Sequence, residues 1–438
     1  MKTRKILLFS LSLCIITIFG LKTADGQDID KTYKWNYKVN TDTWVVLDNY
    51  DTDMEIHTWD KPEIEFHMTI QAEFRNQDDA SDVDAYLRDL EFKSTAGRTE
   101  INSKFWKSRT NIMGFSTMVL EGFNKVRYKK FKMECAVWIP QNASLELNTK
   151  YSEINMDDID GELKLDSYDD ELYAGSVGGT ASITAKYSEM AFTGMKDIVA
   201  DLYSCELATG NAGNMKIITK YSDIDSENIG ILDIDSYEDD FTIKNCSDIK
   251  YIAKYSELTT GQAGKLVADN YECEFAADRI TDARIESKYS EFDITTAGTI
   301  DITSFYEDNL TAEKIRSLNI EKTKYGDFEI EEIEKKFTVK SAYEDDFSVD
   351  RLGMKLEELN INGKYLNIEL GVAFNFDCRL KATIKYPEMN IDDNIFKTKI
   401  HIKDGSNLEY EGIKGTEKEG MPELVVKGYE VNLKVSEH

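Results

Sequence analysis

The run Lys220-Tyr221-Ser222-Asp223, Ser236-Tyr237-Glu238-Asp239-Asp240-Phe241, Lys254-Tyr255-Ser256-Glu257 decides the fold, because its two phrases return along most of the chain. The first phrase recurs at Lys150 to Glu153, Lys186 to Glu189, Lys288 to Glu291 and Lys324 to Asp327. The second recurs around Tyr168, Tyr203, Tyr271, Tyr306 and Tyr343. Tyrosines fall about 17 residues apart and like phrases about 34 apart. A fixed short period means a stacked solenoid, because no single unit can bury its own apolar face.

Alternation inside each unit makes the walls strands. Ile183, Ala185 and Tyr187 are placed inward, the phrase turns the chain, and Met190 and Phe192 resume with shifted parity. Leu232, Ile234 and Ser236, then Phe241 and Ile243, repeat the scheme. Helical repeats would need apolar spacings of three and four, which these units lack. Proline is absent from 141 to 386, as paired strands require. Two rung sizes stay open. A 17-residue rung is a flat two-sheet roll. A 34-residue rung has four faces, with the two phrases at opposite corners. At about 4.8 Å per rung, the stack is roughly 65 or 35 Å long.

Outside this array the pattern changes. Residues 27–145 do not repeat and hold all five tryptophans, which marks a boundary near Pro140. Thr43 to Thr58 reads as a hairpin, Glu63 to Phe74 as a strand with Ile64, Phe66, Met68 and Ile70 on one face, and Lys125 to Ile139 as a long strand. Asp78 to Leu90 carries a helical stripe, with Asp79 or Ser81 as its cap. From about Asn390 the phrase fails, and residues 398–402, 408–413 and 424–433 read as strands that close the open end. The expected architecture is all-β. A solenoid over 146–390 lies between an α+β, mostly antiparallel N-terminal cap (27–145) and C-terminal capping strands (391–438).

Residues 1–26 read as a secretory signal. Lys2, Arg4 and Lys5 precede an apolar run from Ile6 to Gly20, too short for a comfortable membrane span, and Ala24-Asp25-Gly26 supplies the small residues. An uncleaved anchor is the other reading of this segment. Cleavage there takes the net charge from −29 to −32. Such acidity disfavours nucleic acid and anionic lipid as partners. No later stretch could span a bilayer. Five cysteines remain (Cys135, Cys205, Cys246, Cys273, Cys378), an odd number, read as buried small residues or free thiols.

Three groups of residues are candidates for binding. An acid follows nearly every repeat tyrosine by two positions, and the lysine before the first-phrase tyrosines is available to offset the repulsion. Where acids cluster, at Asp239, Asp240, Asp345 and Asp346, loosely held Ca²⁺ is one reading and a solvated acidic face the other. The glycine-rich nonapeptide of calcium β-rolls is absent. The tyrosines form either a stacked core or a carbohydrate-stacking ladder. Alternation places the first-phrase rings inward and leaves the second-phrase rings open. Finally, Lys104 to Lys132 holds eight basic residues and one acid. Lys104, Trp106, Lys107, Arg109, Lys125, Arg127 and Lys129 are its candidate contact residues, and a hairpin whose lysines balance nearby carboxylates is the alternative. Four scattered histidines suggest neither a zinc set nor a triad, and no carboxylate pair stands out for glycoside chemistry.

The signal segment, Val45-Val46-Leu47-Asp48-Asn49-Tyr50, Trp138-Ile139-Pro140 and the serial tyrosine–acid phrases together resemble the bacterial β-strand-repeat family of adhesin-like proteins, similar in style to head-domain autotransporter adhesins. The resemblance covers most of the mature chain. It implies a β-solenoid envelope protein and supplies no catalytic residues. The resulting expectation is a non-enzymatic, exported binding or scaffolding protein of the periplasm, outer membrane or cell surface. Its partner is an envelope protein or glycan, and it has no cofactor. A carbohydrate-active β-helix enzyme and a structural or sensing partner of an envelope complex are the alternatives.

Overall fold

The computed structural model describes residues 28–112, 115–121, 125–391 and 394–437, so the signal segment lies outside it. Among the described residues, one helix accompanies a long series of strands. The chain divides into two compact units. One comprises residues up to Tyr33 with Thr69–Leu90 and Phe105–Lys132. The other comprises Lys34–Met68, Glu91–Lys104 and Met133–His438.

The larger unit is a parallel β-solenoid. Strands Glu189–Tyr203, Glu206–Lys220, Asp223–Tyr237, Asp240–Lys254 and Glu257–Tyr271 each make one rung, pairing in parallel with the next. Ile217 meets Ile234, and Ile234 meets Tyr251, so partners lie 17 residues apart and the rung is the 17-residue one. Both phrases therefore occupy the same corner, in alternate rungs. The opposite bend is softer. There the chain passes so closely over the rung below that a Cβ on Gly230 would sit 2.2 Å from the Gly213 carbonyl oxygen.

Alternation drives the core as expected. Columns such as Leu232, Ile249 and Leu266, or Ile224, Phe241 and Leu258, are wholly buried. Burying each such side chain stabilises by about 1.5–3 kcal/mol before entropy is counted. Towards the C-terminal rungs the second column becomes aromatic at Phe292, Phe328 and Phe347, and Phe305 stacks between Phe292 and Phe328, at 4.8–5.8 Å along the series. All five described cysteines are free and buried.

Three expectations are corrected here. Thr43 to Thr58 is not a hairpin. Trp44–Tyr50 and Asp53–Trp59 pair in parallel with Ser144–Lys150 and Glu153–Met156, as the two walls of an early rung. Tyr50-Asp51-Thr52-Asp53 is thus already a copy of the corner, and the solenoid reaches back across the boundary expected near Pro140. Nor does the phrase fail after Asn390. Glu423–Glu437 is a full rung inserted between Glu358–Val372 and Cys378–Lys385, parallel to both. Only Lys397–Asp404 and Asn407–Lys414 cover the end as antiparallel strands. Lastly, the first-phrase tyrosines do not point inward.

The smaller unit holds the helix, Gln77–Arg88, and the antiparallel strands Trp106–Ile112 and Phe115–Leu120. The helix cap is Asn76, whose side chain accepts from the Asp79 N–H at 2.7 Å, and not Asp79 or Ser81. Val83 and Leu87 face its core, as the stripe implied.

Candidate binding edge

Every non-glycine residue with positive φ among the described residues lies at the phrase corner, from Asp51 to Glu430. The corner is a left-handed turn at one residue, and each copy costs on the order of 1 kcal/mol for an L-residue. In first-phrase rungs this residue is the tyrosine itself, for example Tyr187 (φ 57) and Tyr221 (φ 60). In second-phrase rungs it is the residue after the tyrosine, such as Glu238 or Glu272. The tyrosine side chain therefore shifts by one position in alternate rungs.

The shift builds a zigzag ladder. Sixteen tyrosines, from Tyr50 through Tyr151 and Tyr168 to Tyr365, Tyr429 and Tyr386, stack edge-to-face at 5.3–6.2 Å between centroids and 74–87° between planes. Edge-to-face contact is a favoured aromatic geometry, worth about 0.5–1.5 kcal/mol per pair. Tyr429, from the inserted last strand, fills the tier between Tyr365 and Tyr386. The left-handed tyrosines are 36–50 % exposed.

In the strand position just before the turn, lysine and tyrosine alternate rung by rung. Lys150 pairs with Tyr50 and Tyr168, Lys220 with Tyr203 and Tyr237, and Lys364 with Tyr343 and Tyr429. The ammonium groups of Lys150, Lys220, Lys324 and Lys385 lie over ladder rings. Lys324 Nζ is 4.4 Å from the Tyr325 centroid and 5.1 Å from that of Tyr343, and Lys104 Nζ is 4.3 Å from Tyr50. These are cation–π contacts.

Behind the turn a buried polar chain holds the corners in place. Asp239 accepts from Thr219 Oγ1 (3.1 Å), the Ser222 N–H (2.8 Å), Ser236 Oγ (2.6 Å) and the Tyr237 N–H (2.9 Å). Its own N–H donates to Ser256 Oγ of the next rung at 3.1 Å. Asp170, Asp308 and Asp345 play the same part, and Cys205 and Cys273 take that slot in two rungs, each N–H donating to the next serine. Burial outweighs these hydrogen bonds and pushes the carboxyls of Asp308 and Asp345 up to about 6.

After the buried slot comes an exposed acid. Glu153, Glu171, Glu189, Glu206, Asp223, Asp240, Glu257, Glu274 and Glu291 follow one another in register over nine rungs. Neighbouring carboxylates at rung spacing repel by roughly 0.9 kcal/mol in bulk water. The Asp327 carboxyl of the same column is pushed up by partial burial and by Glu329 and Asp346. Beside the column, Tyr151, Glu153, Asp169, Glu171, Tyr187 and Glu189 line an open groove of about 480 Å³.

This geometry separates the residues proposed for Ca²⁺. Asp239 and Asp345 are buried and saturated by hydrogen bonds, whereas Asp240 and Asp346 stand on the outer column. Strand alternation sends each pair to opposite sides of the wall, so neither pair can share one ion.

The basic segment is dispersed as well. Lys104 belongs to the solenoid unit, over Tyr50. Trp106 is buried against Phe105 and Phe131, with the Arg109 guanidinium 5.1 Å from its ring. Lys107 pairs with Glu121 (3.4 Å), Arg127 with Asp79 (3.7 Å) and Lys129 with Glu73 (2.5 Å), while Lys125 is exposed. The reading in which these charges balance nearby carboxylates describes Lys107, Arg127 and Lys129. A buried tryptophan cannot anchor a partner.

The ladder's zigzag had a signal in the sequence. From Tyr203 to Tyr289 the tyrosine spacing alternates 18, 16, 18, 16, 18, as a one-residue shift in every second rung requires. No protein-family model matches the chain, and no curated protein is similar to it. Among solved structures, it aligns with the crystal structure of a "putative cell adhesion protein" from Clostridium sporogenes, over 93% of this chain and 100% of that one, at 9% identity. The TM-score is 0.15, too low to carry an argument.

Proposed function

We propose that this is an exported, non-enzymatic, adhesin-like protein that engages an envelope or cell-surface partner along its tyrosine–acid edge. One observation carries the reading: sixteen tyrosines stacked on the outside of a corner that needs none of them to turn. A turn alone would favour glycine, asparagine or aspartate at the left-handed position. A linear array of identical exposed groups suits a partner that is held at many points at once. The charge, apolar run and small residues of 1–26 support export, and no described helix is long and apolar enough to cross a membrane.

Capture from envelope fractions and on a glycan array tests this, using residues 27–438 and a triple Tyr187→Ser, Tyr221→Ser, Tyr255→Ser variant. The parent is expected to retain a partner and the variant to lose it at least tenfold, with its circular dichroism still strand-dominated. Reversing Lys125, Arg127 and Lys129 to glutamate is expected to leave capture intact. Equal capture by the parent and the tyrosine variant overturns the assignment to this edge.

A further inference from the structure

We infer that the tyrosine–acid edge is a docking groove for an extended, lysine-rich polypeptide. The inference rests on the reading of this edge as the binding surface and names what it holds.

The ladder itself argues against flat ligands. Each ring is packed edge-to-face between its neighbours, at 5.5 Å from Tyr168 to Tyr187 and 5.6 Å from Tyr187 to Tyr203. Each edge-to-face contact covers one face of one ring, and Lys104, Lys220 and Lys324 lie over ladder rings as well, so a pyranose ring would compete with the ladder's own contacts for a platform. Phenol edges and hydroxyl groups are what the ladder presents outward.

The chain also shows which group these rings accept. Its own ammonium groups lie 4.3–5.9 Å from ladder centroids, at Lys104, Lys220 and Lys324. Those lysines are occupied with rings, and among the described residues no ion pair links them to the acid column. Elsewhere on the solenoid, acids pair with basic residues of the adjoining rung, as in Lys244–Glu227 (2.8 Å), Lys250–Asp233 (2.9 Å) and Lys340–Glu321 (2.7 Å). Along the corner, acid stacks on acid instead, and among the described residues Glu171, Glu189, Glu206, Glu257 and Glu274 have no ion-pair partner. The carboxylates and phenol oxygens together accept from the three donors of a primary ammonium. Charge complementarity thus selects a polymer of primary ammonium groups. The flexible four-carbon stem of lysine takes up the mismatch between rung spacing and peptide spacing.

The length of the groove sets a further condition. Sixteen tiers at about 4.8 Å span roughly 70 Å, which an extended chain covers in about 20 residues. Affinity for oligo-lysine is therefore expected to rise steeply up to about 20 residues and only slowly beyond.

The experiment titrates the 27–438 protein with fluorescent oligo-lysine of 10 and 20 residues, alongside oligo-glutamate and a glucosamine oligomer. One variant carries Glu171→Gln, Glu189→Gln and Glu206→Gln. A control removes the same charge from another exposed column through Asp201→Asn, Asp235→Asn and Asp269→Asn, and melting curves verify that both fold. The acid-column variant is expected to weaken oligo-lysine binding at least tenfold, and the control less than twofold. Equal losses overturn the inference, because net charge alone then explains binding. Tighter binding of the glucosamine oligomer overturns it too. If Tyr187→Ser, Tyr221→Ser, Tyr255→Ser abolishes envelope capture while oligo-lysine ignores the edge, the edge remains the binding surface and the lysine-rich partner is wrong.

Discussion

Asp308 is wholly buried, yet it is an acid whose neighbours all donate to it: Ser287 Oγ (2.6 Å), the Ser290 N–H (2.8 Å) and the Tyr306 N–H (2.6 Å). Asp345 repeats this with Thr323, Gly326 and Tyr343. Burial is the larger effect and raises both carboxyls from 3.8 to about 6. In this window the folded chain binds more protons than the unfolded one, so their contribution to stability is full below about pH 4 and is lost as pH rises through 6. The change is about 3 kcal/mol per group at most. Melting temperature is expected to rise as pH falls from 8 to 5, and to rise less in Asp308→Asn/Asp345→Asn. The asparagine amide sets donor against donor, so the variant melts lower throughout, and the slope is the readout. Relief of net charge repulsion affects both proteins alike. Parallel slopes would show that the two aspartates titrate normally. The inward apolar columns were legible at this scale because alternation alone places Ile234 or Phe241. The tyrosines were not, because alternation carried through the turn puts Tyr187 inside, whereas positive φ at Tyr187 turns it out. The same alternation, applied across the turn at Asp239 and Asp240, separates the two acids that proximity in sequence had joined.

At the scale of elements, long strands and the helix were readable from period, but the order in which strands stack was not. The last strand, Glu423–Glu437, sits between two rungs that precede it in the chain. Its corner, Lys427-Gly428-Tyr429-Glu430-Val431-Asn432, keeps the tyrosine and the left-handed acid but has valine where other second-phrase rungs have aspartate, cysteine or, at Thr52, threonine. That substitution, and the antiparallel cover strands before it, hide the copy. No local signal states that a strand must thread backwards; it does so because Leu359 and Leu380 each present a buried face that Leu424 completes. Removing residues 423–438 is expected to leave Cys378–Lys385 without a parallel neighbour and Glu358–Val372 paired on one side only, with Asp327–Tyr343 and Asp346–Leu352. Limited proteolysis read by mass spectrometry should then cut within 353–391, while rungs before Tyr343 stay protected, since solenoid stability is a sum of neighbour contacts. Retained protection at 358–385 would mean that those two rungs close directly on each other.

For the solenoid unit as a whole, the repeat has two periods with different meanings. The backbone repeats every 17 residues, because one rung is one turn, whereas the corner repeats every 34, because lysine and tyrosine alternate between rungs. A chain stabilised only by its apolar walls would tolerate the loss of any whole rung. Deleting residues 221–254 removes two rungs and joins Lys220 to Tyr255-Ser256-Glu257, which restores the first phrase and keeps every tier of the ladder in order. Deleting residues 221–237 removes one rung and joins Lys220 to Glu238, so Lys220 falls beside Lys254 and no ladder tyrosine stands between Tyr203 and Tyr255. Both deletions preserve inward parity, so both proteins are expected to fold. The shorter deletion is nevertheless expected to be the less stable, by roughly 1–3 kcal/mol in urea, because it interrupts the edge-to-face series and sets two ammonium groups side by side. It should also reduce partner capture, since the groove is broken into two shorter ones. If the 17-residue deletion is as stable as the 34-residue one, the ladder contributes nothing to the fold, and the 34-residue period is kept for binding alone.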